Sequence, residues 1–156
     1  MLSQGELQRL VALYDLEQYL FGEVSLRFAS DGTLGTYDFY AIVIWKSNRS
    51  KTRIKDGLAE AGLSPEDLMR NVYGAETNEA RVDTLTDVQG IGLPIASAIL
   101  AVCYPKEFTV LDSRVWEALG AIGARASSAK YPSTTPEYIQ YCQLCCRLAE
   151  QEGLTL

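Results

Sequence analysis

Helix start and stop signals punctuate the chain almost from end to end, and this punctuation limits the fold more than any single motif. Ser3 with Glu6 has the form of a capping box, followed by Leu7, Leu10, Val11 and Tyr14 at helical spacing. From Asp15 the pattern restarts through Tyr19 and Leu20 toward Phe28. A turn-rich loop at 29–36 leads to Thr36, which is expected to cap a helix over 37–47. Ile42, Val43 and Ile44 there also suit a strand, but no neighbouring segment offers a strand partner, so a buried helix is expected. Residues 49–62 read as an amphipathic helix stopping near Gly62, and Ser64 followed by Pro65 opens the next. Segments 77–85, 93–104, 113–122 and 137–152 follow, the third capped by Asp112 and the last opened by Thr135 and Pro136 and closed by Gly153. The expectation is an all-α, compact multi-helix domain.

At 156 residues and 47% apolar content, the chain can bury one substantial core, so 1–156 is expected to form a single domain. No apolar run has the length of a membrane span and the N-terminus lacks the layout of a signal peptide, which points to the cytoplasm. The final Gly-Leu-Thr-Leu puts Thr155 where another helix can begin, and leaves room for a C-terminal element beyond Leu156. Of the four cysteines, Cys142, Cys145 and Cys146 crowd one helical stretch while Cys103 stands apart, a pattern that fits reduced thiols better than bridges.

Histidine is absent, which removes the usual general base and the commonest zinc ligand. Serine-hydrolase and zinc-hydrolase chemistry are poor fits. The net charge of −6 argues against binding nucleic acid by bulk electrostatics. Yet Lys46, Arg49, Lys51, Arg53 and Lys55 fall together with no acidic residue between Lys46 and Lys55. Such a stripe is either a localised anion contact or a solvated helix face.

The stretch Asp87 to Leu100, DVQGIGLPIASAIL, pinches the backbone with Gly90 and Gly92 and restarts a helix at once. Glycine permits close approach of another backbone, and the new helix offers unpaired N–H groups at the positive end of its dipole. A phosphate can bind there without a basic side chain. Leu85 to Leu119 resembles the helix-hairpin-helix and Gly/Pro/Asp signature of the DNA glycosylase superfamily, which includes endonuclease III and 8-oxoguanine DNA glycosylase. Gly90, Ile91 and Gly92 match the hairpin that grips the DNA backbone, Ala96 to Ala101 the small-residue helix, and Asp112 the catalytic position. The match is close over about a quarter of the chain and weaker upstream, at 42–51.

The resemblance implies that the protein docks on duplex DNA, flips a base out of the stack and hydrolyses its glycosidic bond with Asp112. Cleaving that bond builds positive charge on the sugar, which a carboxylate stabilises while orienting water. By alignment Asn48, helped by Arg49, takes the wedge position, and Lys46, Lys51 and Arg53 meet flanking phosphates. Trp45 either lines the base pocket or belongs to the core.

Two departures narrow the reading. Bifunctional members carry a lysine two residues after the second hairpin glycine, where this chain has Pro94. Proline is no nucleophile and removes an N–H from the helix start, so lysine-dependent lyase activity is not expected and a monofunctional glycosylase is. The cysteines also lack the spacing of the family's iron-sulfur cluster, so no cofactor is expected, although a monovalent cation at the hairpin is compatible. In a bacterium the location would be the nucleoid. Two rivals stay open: a non-catalytic helix-hairpin-helix DNA-binding module, and an all-α interaction domain in which Asp112 is only an N-cap.

Overall fold

The computed structural model describes residues 15–154, and within them the chain is all-helical. The capping box at Ser3 and the start signal at Thr155 lie outside the described residues. The first helical stretch comprises α1 (Leu16–Gln18), a π-helical segment (Tyr19–Val24) and α2 (Ser25–Asp31), which ends at Gly32 with φ +67°. Next come α3 (Thr36–Ser47), a 3₁₀ turn (Asn48–Ser50), α4 (Lys51–Ala61) and α5 (Pro65–Gly74). The chain continues through α6 (Asn78–Thr86), α7 (Leu93–Cys103), α8 (Ser113–Ala121) and α9 (Thr135–Gln151). No described helix is long and apolar enough to cross a membrane.

Helix α7 is the centre of the core. Every residue from Ile95 to Cys103 is buried, which its composition requires, because a helix apolar on all sides must be covered on all sides. Helices α3, α6 and α2 pack around it. Ile42 and Val43 on α3 are fully buried and helical. A strand there would have left its backbone groups without partners.

The caps follow the sequence with two corrections. Ser64 opens α5 with a full capping box, accepting the Asp67 N–H while Asp67 accepts the Ser64 N–H. At α3, however, Gly35 is the N-cap and Thr36 is the first helical residue. The Thr36 N–H and hydroxyl both donate to Glu66 Oε1 of α5, at 2.7 and 3.1 Å, so a carboxylate from another helix takes the role expected of the threonine side chain. At α9 the cap is Thr134, one residue before the expected Thr135, because Glu137 stands three positions after Thr134 and completes the box.

The one buried carboxylate among the described residues, Asp38, is fully served: it accepts from the Tyr19 hydroxyl at 2.6 Å and from the Arg27 guanidinium. This cluster ties the first helical stretch to α3.

Candidate functional site

The hairpin of residues 87–92 is a tight turn between α6 and α7. Gly90 has φ +95°, and a Cβ built there would lie 2.9 Å from the carbonyl carbon and oxygen of Arg53. Facing it, a Cβ on Gly57 would lie 1.9 Å from the Gln89 carbonyl oxygen. The turn and α4 therefore meet backbone to backbone, with a glycine on each side to permit it. Ile91 is buried and its N–H donates to the Val88 carbonyl at 3.0 Å, so it anchors the turn from inside. Gly92 is exposed, and a Cβ there would meet nothing closer than the Pro94 ring at 3.8 Å. Among the described residues, the Gly90, Gly92 and Leu93 N–H groups make no backbone hydrogen bond. Pro94 has none to offer, and the Ile95 N–H already donates to the Gly92 carbonyl at 3.1 Å.

This packing puts the hairpin against the start of the basic helix, a juxtaposition the sequence did not predict. Arg49, Lys51, Arg53 and Lys55 are exposed, and none lies within ion-pairing distance of a carboxylate among the described residues. Asn48 is exposed at the 3₁₀ turn joining α3 to α4. Lys46 behaves differently from the rest of the stripe. Its side chain is only 17% exposed and turns inward, donating to the Leu111 carbonyl at 3.0 Å and standing 3.8 Å from Asp112 Oδ2.

Asp112 is the N-cap of α8: its Oδ1 accepts the Arg114 N–H at 2.8 Å, and its side chain is 42% exposed. The irregular segment before it, residues 108–111, is held by side chains from three helices. Tyr138 and Tyr141 on α9 donate their hydroxyls to the Thr109 and Val110 carbonyls, each at 3.0 Å. Ser97 on α7 is fully buried; its Oγ accepts the Leu111 N–H at 2.8 Å and donates to the Pro94 carbonyl at 2.8 Å. Lys46 on α3 takes the Leu111 carbonyl. Both polar backbone groups of Leu111 are thus clamped by side chains, and the carboxylate one residue on inherits that rigidity. Tyr131 lies near enough that its hydroxyl pKa is raised, by its burial first and by the Asp112 charge second.

Trp45 is half-buried against the core, with the Phe21 ring edge-on at 5.7 Å. Beside the clamped segment is a mainly apolar cavity of about 210 Å³ lined by Phe21, Ala101, Phe108 and Val110, among others. The four thiols are free; Cys103 and Cys142 are buried. Burial pushes the Cys142 thiol up to about 11 and holds Cys103 well above its ordinary value.

Sequence reasoning picked out Asp112, Lys46 and the hairpin but missed Ser97, Tyr138, Tyr141 and Gly57. Two of these carried a signal. Ser97 is the one hydroxyl in the apolar run Ile95 to Val102, and Gly57 interrupts an otherwise good helix. The tyrosines carried none, because nothing local marks which carbonyl a hydroxyl will reach.

Compared with family models, curated proteins and solved structures, the chain matches none.

Proposed function

We propose that this protein is a monofunctional DNA glycosylase, which binds duplex DNA and hydrolyses the N-glycosidic bond of a damaged or mismatched base. The observation that carries this reading is continuity: the exposed Gly92, the basic turn from Asn48 to Arg53, Lys46 and the clamped Asp112 follow one another through direct contacts or adjacent chain. A hairpin with free N–H groups beside unpaired cations suits a phosphate backbone on a protein that is acidic elsewhere. A half-exposed carboxylate fixed at a helix start suits stabilisation of positive charge developing on a sugar. The apolar cavity next to the clamped segment is the candidate space for the flipped base.

The test is single-turnover reaction of duplexes carrying 8-oxoguanine, uracil, hypoxanthine, alkylated bases or mismatches, followed by alkali. Strand breaks that appear only after alkali, and disappear in Asp112→Asn, support the proposal. Binding with every duplex left intact refutes the catalytic part.

One observation favours a second reading, a DNA-binding module without catalysis. The Lys46 ammonium lies 3.8 Å from the carboxylate, where it competes with any cation forming on a sugar for the same negative charge. On that reading Lys46 and Asp112 are a structural pair, and Asp112→Asn keeps or raises DNA affinity.

A further inference from the structure

A further cavity shares only Tyr141 of the clamp and the capping residue Glu137 with the features above. It occupies about 400 Å³ between α8, the loop that follows it and α9, within the range of roughly 300–1,000 Å³ usual for small-molecule sites. Its aromatic lining is Trp116 and Tyr141. Lys130 and Arg147 also line it, and neither is within ion-pairing distance of a carboxylate among the described residues. The only carboxylate in the lining, Glu137, is already engaged. One of its oxygens accepts the Ser133 N–H at 2.8 Å, the Ser133 hydroxyl at 3.0 Å and the Thr134 N–H at 3.0 Å. Gln140 adds an amide, which can both donate to and accept from one edge of a heterocycle.

The walls are held in place without a ligand. Arg125 donates to the Trp116 carbonyl at 2.8 Å and lays its guanidinium over the Trp116 ring at 4.6 Å. Tyr131 meets the same ring edge-on at 6.2 Å, and the Tyr141 hydroxyl is tied to Val110. Trp116 and Tyr141 pack on each other, with ring centroids 6.1 Å apart and planes tilted by 50°, and so form one aromatic wall. Beside it two free cations and one amide favour a flat heterocycle that carries an anionic group.

We propose that this cavity binds a mononucleotide unit, the heterocycle against Trp116 and Tyr141 with its edge read by Gln140, and the phosphate between Lys130 and Arg147. Its cations and its amide are separate from the proposed DNA surface, with Tyr141 alone shared through its bond to Val110, and the site holds whether or not that surface cleaves anything.

The probe is adenosine 5′-monophosphate, titrated calorimetrically into the full chain, with inorganic phosphate and adenosine as the two half-ligands. The nucleotide is expected to bind about tenfold or more tighter than either half, because each half engages only one end of the cavity. Arg147→Ala and Lys130→Ala, both at exposed positions that leave the fold intact, are each expected to weaken the nucleotide about fivefold to tenfold and to leave adenosine unchanged. Arg53→Ala, outside the cavity, is expected to change nothing. A nucleotide no tighter than phosphate or adenosine, or one indifferent to both cation variants, overturns the proposal.

Discussion

Lys46 and Leu111 are far apart in the chain and joined by one hydrogen bond, from the ammonium to the carbonyl at 3.0 Å. The bond docks the end of α3 on the segment that presents Asp112. It also takes one lysine out of a stripe that would otherwise be wholly free to meet an anion. Lys46→Met keeps most of the aliphatic stem and leaves the carbonyl without its donor. The expected loss is about 1–2 kcal/mol in urea unfolding, with the unfolding slope unchanged.

Ser97 holds the other polar group of Leu111. In Ser97→Ala the buried Leu111 N–H loses its acceptor in a place water does not reach, which is expected to cost about 1–3 kcal/mol. Hydrogen exchange at Leu111 should rise in step, while exchange in α5, which takes no part in this clamp, stays near the wild-type rate.

Gly57 faces the hairpin at a distance that admits no side chain. Gly57→Ala places a methyl group 1.9 Å from the Gln89 carbonyl oxygen, a backbone atom that cannot rotate away. Helix propensity alone favours alanine by about 1 kcal/mol. The overlap is expected to reverse that sign and destabilise the protein by about 3 kcal/mol. Gly62→Ala is a control for φ, since that position has open space and its strain comes from φ +67° alone. Thermal unfolding of the two variants separates crowding from backbone strain, and Gly57→Ala should lose more.

The exposed cations of the 3₁₀ turn and of α4 should report on nucleic acid directly. Arg49→Ala and Lys51→Ala are each expected to weaken binding of a duplex at low salt and to lower the slope of log affinity against log salt by about 1. A flat salt dependence in the wild-type chain would point instead to the all-α interaction domain.

Acid should destabilise the fold through its caps. The Ser64 hydroxyl and N–H hold the Asp67 carboxyl below its ordinary value, and the Ser133 N–H and hydroxyl do the same for Glu137. Each group binds its proton more weakly folded than unfolded. Its contribution is therefore complete above the unfolded value, about pH 4 for both types, and is lost as pH falls through the lower folded value. Melting temperature is expected to fall between pH 5 and pH 3, and the doubly substituted Asp67→Asn, Glu137→Gln chain should fall by less over the same interval.

The helical punctuation was legible because it is local chemistry. A capping residue, a proline at a first turn and a glycine past a last turn act within four residues of chain, so Ser64, Pro65 and Gly62 could be read in place. The buried helix at α3 was also legible, from the lack of a strand partner in any neighbouring segment. The capping misses at Thr36 and Thr135 mark where this stops: Glu66 reaches Thr36 from another helix, and a carboxylate three positions along decides between Thr134 and Thr135.

The site divides along the same line. By itself the sequence determined that a Gly-x-Gly turn precedes a small-residue helix, that Asp112 caps α8 and that a basic stripe follows α3. Each is set by residue type and spacing along one stretch of chain. Only the tertiary structure decided that the turn lies on the Arg53 backbone, that Lys46 folds inward to Leu111, and that Ser97, Tyr138 and Tyr141 fasten the segment before Asp112. Those contacts join helices far apart in the chain, and burial selects them because a buried carbonyl or N–H must find a partner wherever the fold supplies one.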